Sequence, residues 1–307
     1  MSLQILICDD SVMAQKQVAR ALPDEWDVEV SFAKHGTEAL QSLRQDLANV
    51  LFLDLNMPVM DGYQTLEAIA ESQLRTLVIV ISGDIQPDAR QRVLELGAFD
   101  FIKKPVDSEE LLSTLTRAGV YSADKPMSSS GKAEALSLIA SVNELEAYQE
   151  ISNVAMGQAA SLLAQLLDVF VLLPIPKVNL LELGDLRMAL QATKDADSIS
   201  AVCQGFIGSG ITGEALLLFH ESSYQDMAKL MRREGELTDI GGQELLMDVA
   251  SVLIGACVKG IAEQLDIHFS QGHPFILGQH IDVGNLLENN LWKWEKILAV
   301  EICYAIK

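Results

Sequence analysis

Basic residues are scarce in this chain: 22 Lys and Arg stand against 43 Asp and Glu in 307 residues, a formal net charge of −21. A phosphodiester backbone repels such a chain, and no Lys/Arg cluster offers the footprint that nucleic-acid binding requires, so a DNA-reading output is disfavoured. Cysteine is sparse too. Cys8, Cys203, Cys257 and Cys303 lie far apart within apolar stretches, with neither metal-ligand spacing nor a disulfide framework, and are expected as reduced core residues. Also missing are a basic segment followed by an apolar signal core at the amino terminus, and any uninterrupted apolar run of membrane-spanning length. These absences lead to the expectation of a cytoplasmic protein with protein partners, without nucleic acid or membrane. Its length suits two domains.

Against that background, the run Leu51-Phe52-Leu53-Asp54-Leu55-Asn56-Met57-Pro58 carries a carboxylate out of a fully apolar strand. Strands buried on both faces of a parallel sheet read as continuous apolar runs. Ligands of open α/β sheets bind outside the carboxyl ends of such strands, where Asp54 is expected. The first strand, Leu3 to Cys8, ends in Asp9 and Asp10; Leu77 to Ile81 ends in the hydroxyl of Ser82; and Phe99 to Ile102 leads into Lys103-Lys104-Pro105. Carboxylates converging at strand ends repel one another unless a hard cation lies among them, which predicts Mg²⁺. Asp54 is then the nucleophile toward a phosphoryl donor, forming an acyl phosphate. Ser82 and Lys104 are expected on the phosphoryl oxygens. Helical periodicity follows the early strands (Val12, Val18, Leu22; Ala39, Leu40, Leu43), with a last helix from about Ser108 to Ala118.

These residues resemble the receiver domain of two-component response regulators, over about residues 1–120. The resemblance implies a flavodoxin-like doubly wound fold with Asp54 as phosphoacceptor. It also implies Mg²⁺ held by Asp9, Asp10, Asp54 and the backbone carbonyl of Asn56, with Lys104 on the phosphate and Phe101 as the switch aromatic. A cis Lys104–Pro105 bond and a cognate histidine kinase as partner belong to the same expectation.

Residues 121–134 have the Ser/Pro/Gly composition of a flexible linker. Beyond them the pattern changes to long helices separated by short strands, with an internal repeat. Glu146, Glu150, Asn153, Gly157 and Pro176 are matched 98 positions later by Glu244, Asp248, Ser251, Gly255 and Pro274. The repeat predicts a pseudo-twofold α/β domain over 135–307, with two equivalent long helices on one central sheet. At 100° per residue, Ile151, Ala155, Ala159, Leu162 and Leu166 form the stripe expected to face that sheet. Glu146, Glu150, Asn153, Gly157, Ala160 and Ser161 are expected to face outward. Gly157 costs about 1 kcal/mol relative to Ala in a helix, which suggests close approach of a partner.

The segment Glu150-Ile151-Ser152-Asn153, with Pro176 following after 22 residues, is similar to the signature of the CheC/CheX/FliY chemotaxis phosphatases. The glycine-broken stretch from Gly205 to Phe219 also resembles their strand pair. This resemblance implies that Glu150 pairs with the lysine of a phosphorylated receiver and that Asn153 orients the attacking water. Asp248 and Ser251 would form a degenerate second site, since Asp is one methylene shorter than Glu and Ser lacks the amide. The expected function is a response regulator whose second domain dephosphorylates aspartyl-phosphorylated receivers, its own or a separate CheY-like one, in chemotaxis-type signalling. The alternative is a phosphorylation-controlled binding or dimerisation output without catalysis. A homodimer through edge strands is open.

Overall fold

Four apolar runs become strands of one parallel sheet, three of them inner strands and the fourth an edge, in the computed structural model, which describes residues 3–24, 26–121, 143–182, 185, 199–220, 223–231, 239–281 and 297–306. The strands are β1 (Leu3–Cys8), β2 (Val28–Ala33), β3 (Val50–Leu53), β4 (Leu77–Ser82) and β5 (Asp100–Lys103). Their order is β2-β1-β3-β4-β5, all pairs parallel. Five helices connect and follow them: α1 (Val12–Ala21), α2 (Gly36–Leu43), α3 (Gly62–Glu71), α4 (Pro87–Glu95) and α5 (Ser108–Arg117). Strand alternation divides the core in two. Leu6, Cys8, Leu51, Leu53, Val78 and Val80 pack with Leu40, Leu66 and Val93 on one face. Ile5, Ile7, Phe52, Ile79 and Ile102 pack with Val18, Leu22, Leu111 and Leu115 on the other. This is the expected doubly wound fold. The strand β2 was not evident as a continuous apolar run because it lies at the sheet edge and alternates, as Glu29 shows by its exposure.

Helix starts are chemically marked. Ser11 Oγ accepts from the Ala14 N–H, Asp61 and Gln64 close a reciprocal capping box on α3, and Asp107 accepts from Glu109 and Glu110 at α5. These caps fix the loops at the carboxyl ends of β1, β3 and β5, where the candidate site lies.

The chain divides into two compact units, residues 1–157 with 173–175, and residues 158–172 with 176–307. The division falls within one long helix, α6 (Glu144–Leu167), whose first half belongs to the first unit. The expected linker at 121–134 lies, apart from Tyr121, outside the described residues.

In the second unit, the strands after α6 are β6 (Val171–Leu172), β7 (Lys177–Leu181), β8 (Ile199–Gly208) and β9 (Ile211–His220). There follow α7 (Tyr224–Leu230), α8 (Asp239–Leu265), β10 (Ser270–Gln271), β11 (Phe275–Ile281), β12 (Ile297–Glu301) and β13 (Ala305–Ile306). The repeat survives as element order: each long helix is followed by a two-residue strand and then a longer one. Asp168 and Asp266, 98 positions apart, both take a left-handed conformation just past a helix end, with φ of 56° and 52°.

The expected single sheet does not form among the described residues. One edge of β8 carries β9 and the other carries β10 and β11, while β7 pairs with β12 and β6 with β13 as separate ribbons. Register shifts in β11 between Ile276 and Gly278, and again before Ile281, break its ladder. Among the described residues one helix segment, Gly241–Leu265, has the length and mean hydropathy (1.9) of a membrane span. Its apolar side is taken up within the unit: Leu246, Ala250, Ile254, Val258 and Ala262 pack with Val202 and Phe269.

The apolar stripe assigned to α6 needs correction. Leu162 and Leu166 are exposed, at 48% and 44%, whereas Glu150, Ser152, Asn153 and Ser161 are buried along with Val154, Leu163 and Leu167. A single buried face was assumed, but this helix is covered on more than one side.

Candidate functional site

Each predicted acid of the first domain stands at a strand end. Asp9 and Asp54 are each 2% exposed, and Asp10 is partly exposed beside them. Their carboxylate oxygens, one from each residue, lie within 4.8 Å of one another. The loops are locked by local hydrogen bonds: Ser11 N–H donates to Asp9 Oδ1 and Asn56 N–H to Asp54 Oδ2, each at 2.9 Å. The buried Gln15 amide donates to the carbonyls of Asp9 and Ala33, tying β1 to β2 behind the site.

Lys104, just past the end of β5, reaches into this cluster and is followed by the expected cis peptide bond to Pro105. Its Nζ lies 2.8 Å from Asp9 Oδ2 and 3.1 Å from Asp54 Oδ1. A third carboxylate comes from α6: Glu150 Oε1 is 3.2 Å from the same ammonium. Ser82 at the end of β4 is fully buried and its Oγ accepts from the Asp84 N–H. Phe101 is buried in the sheet core.

Burial and mutual repulsion dominate the electrostatics. Burial pushes the Asp9 carboxyl up, Lys104 pulls it back, and the charges of Asp54 and Glu150 push it up again, so that it sits well above the carboxylate range. Burial, then the Asp54 charge, raises Asp10 to about 7. For Lys104, burial acts downward, but Asp54, Asp9 and Glu150 together outweigh it and hold the ammonium well above its usual value. With the acids ionised, three carboxylates on the Lys104 ammonium and Asp10 beside them carry an excess of negative charge that a divalent cation would offset. The all-oxygen donor set of Asp9, Asp10 and Asp54 fits Mg²⁺.

Glu150 and Asn153 are 4% and 6% exposed, and Asn153 Oδ1 is a buried acceptor with no hydrogen-bond partner among the described residues. A cavity of about 40 Å³ is lined by Asp10, Ser11, Glu146, Gln149, Glu150, Asn153 and Ile175. That exceeds the roughly 10–15 Å³ needed for a water. The counterparts on α8 are in different surroundings. Ser251 is exposed and turns its hydroxyl to the Met247 carbonyl, and Asp248 is exposed.

Two residues of the β4–α4 loop were missed by sequence reasoning. Asp84 is buried, with Oδ1 accepting from the backbone and side-chain amides of Gln86, and burial raises its carboxyl. Gly83 lies against the backbone of Asn153 and Val154. The only signal in the sequence was their place immediately after Ser82.

A doubly wound parallel sheet with an acid cluster, a hydroxyl and a lysine at its strand ends is the arrangement of a receiver domain, and the family match agrees. The response regulator receiver domain family matches residues 5–116, and this part of the chain is a receiver domain of a two-component response regulator. A protein-glutamate methylesterase/protein-glutamine glutaminase of Syntrophomonas wolfei is 38% identical over 105 residues, 33% of this chain and 30% of that protein. Its counterpart in Bacillus licheniformis is 36% identical over 108 residues, again 30% of that protein. The chain thus spans under a third of the length of these two curated relatives. Among solved structures, the CheX-CheY-BeF3-Mg²⁺ complex of Borrelia burgdorferi includes a chain 30% identical. That match covers 39% of this chain and 90% of that one, with a TM-score of 0.36.

Proposed function

We propose that the protein is a response regulator that is phosphorylated on Asp54 and removes its own phosphoryl group with Glu150 and Asn153 of α6, residues 135–307 forming a CheC/CheX-like phosphatase domain. The observation that carries this reading is the Glu150–Lys104 ion pair at 3.2 Å, formed within the first compact unit. A carboxylate is seldom buried without a partner. Here the partner is the lysine that would bind phosphate, which brings the unpartnered Asn153 amide oxygen into the same buried region.

Kinase or phosphodonor would transfer a phosphoryl group to an Asp54 carboxylate oxygen. Ser82 and Lys104 would bind its oxygens, and Asp9, Asp10, Asp54 and the Asn56 carbonyl would hold Mg²⁺. When bound, the ion neutralises charge on the transferring group. Asn153 then orients a water in the cavity toward phosphorus. The water oxygen bonds to phosphorus, the bond from phosphorus to the Asp54 oxygen breaks, and inorganic phosphate leaves with Asp54 restored as carboxylate. Positioning is a large part of such catalysis, so two added side chains are enough. A histidine kinase as partner and a cytoplasmic setting go with this reading.

The test is the lifetime of phospho-Asp54 in the intact chain against Asn153→Ala. A second reading, a non-enzymatic lock, is favoured by the near-complete burial of Asp54. In that case docking of α6 would shield Asp54, and Asn153→Ala would leave the lifetime unchanged.

A further inference from the structure

The mid-helix glycine of α6 sits at the tightest backbone approach in this region. A Cβ placed on Gly157 would overlap the carbonyl oxygen of Gly83 and lie 3.2 Å from the Asp84 nitrogen. Both obstacles are main chain, so no side-chain rotation relieves them. The reverse contact is looser: a Cβ on Gly83 would meet Asn153 O and Val154 Cα at 3.4 Å, ordinary contact for a methyl but not for a branched side chain. Gly255, the repeat counterpart on α8, has nothing among the described residues within 4 Å of its Cβ position.

We propose that Gly157 and Gly83 form a steric key that sets which receivers α6 can engage. Glycine is required at 157 on the helix, and glycine or alanine is required immediately after the phosphoryl-binding hydroxyl of the receiver. The partner class is therefore a receiver with a small residue after that Ser or Thr, of which the protein's own domain is one. Gly157 lies one helical turn beyond Asn153 and Gly83 directly follows Ser82, so a displacement at the key is passed to the catalytic pair. Both glycines are positioning residues. A shift of about 1 Å in such a site costs on the order of 10²-fold in rate.

The docking half of this inference stands on geometry alone, and its catalytic half rests on the phosphatase reading, so the test reads both. In the full chain, hydrogen exchange of residues 82–86 and of the first half of α6 reports docking, and phospho-Asp54 decay reports catalysis. Gly157→Ala is expected to lose exchange protection in both segments and to slow decay to the level of Asn153→Ala. Gly83→Val should behave in the same way, while Gly83→Ala and the matched control Gly255→Ala should resemble wild type. Alanine favours helix, so Gly157→Ala does not act by unfolding α6. If Asn153→Ala leaves decay unchanged while Gly157→Ala still loses protection, the key stands and the phosphatase reading fails. Wild-type protection in Gly157→Ala, or tolerance of Gly83→Val, would overturn the key.

Discussion

Replacing Glu150 by glutamine keeps the shape of the side chain but removes one of three carboxylates around the Lys104 ammonium. At the observed 3.2 Å the gross attraction is about 5 kcal/mol with an effective dielectric of ~20. Repulsion from Asp9, Asp10 and Asp54 offsets part of it. The net loss should approach that of a hydrogen bond to a charged group, about 1.5–3 kcal/mol, or roughly 10- to 150-fold in the docking equilibrium. Asp54 is 2% exposed, and if docked α6, anchored on Lys104, is its cover, a phosphodonor gains access when the helix lifts. Glu150→Gln should therefore speed Asp54 phosphorylation by a small-molecule donor by that factor, up to the rate of a fully open receiver, and slow the subsequent decay. Phosphorylation at the wild-type rate in a folded Glu150→Gln protein would refute the ion pair as the docking anchor.

Three further outcomes follow from the same geometry. Asp84 is raised by burial, so it binds its proton more tightly folded than unfolded, and its ionisation destabilises the fold as pH rises above about 4. Asp84→Asn, which keeps an acceptor for Gln86, should gain thermal stability over wild type progressively across that rise, and a constant difference would contradict the assignment. Mg²⁺ should raise the melting temperature of the wild type, and Asp10→Asn should weaken its binding by titration calorimetry; unchanged affinity would remove Asp10 from the donor set. Thiol alkylation at pH 8 should label the exposed Cys303 first and spare Cys203, which burial pushes to about 11, and the buried Cys8. Rapid labelling of Cys203 would show that the strand pair β8–β9 opens.

The receiver was legible in the sequence because its strands are buried on both faces, which writes them as apolar runs with their chemistry at the ends. The edge strand β2 escaped that signal because only one of its faces is covered. In α6 the residues were identified, and Ile151, Ala155 and Ala159 are buried as expected, but the burial of Glu150 and Asn153 and the exposure of Leu162 and Leu166 were not foreseen. Periodicity assigns charged residues to solvent, and nothing local reveals that the counter-charge for Glu150 is Lys104, on a different element far away in sequence. Gly157 was read as making room for a close partner, but the backbone that approaches it, at Gly83, lies in a loop, where no periodicity applies. The 98-residue repeat correctly anticipated two long helices and the elements after them, but it could not anticipate how strands pair across the intervening segments.

The central claim is that this chain clears its own phosphoryl group, and the decay of phospho-Asp54 in the intact protein and in Asn153→Ala tests it most directly. Loss of the water-orienting amide should lengthen the lifetime by roughly 10²-fold, with phosphorylation still reaching completion. Equal lifetimes in the two proteins would contradict the account.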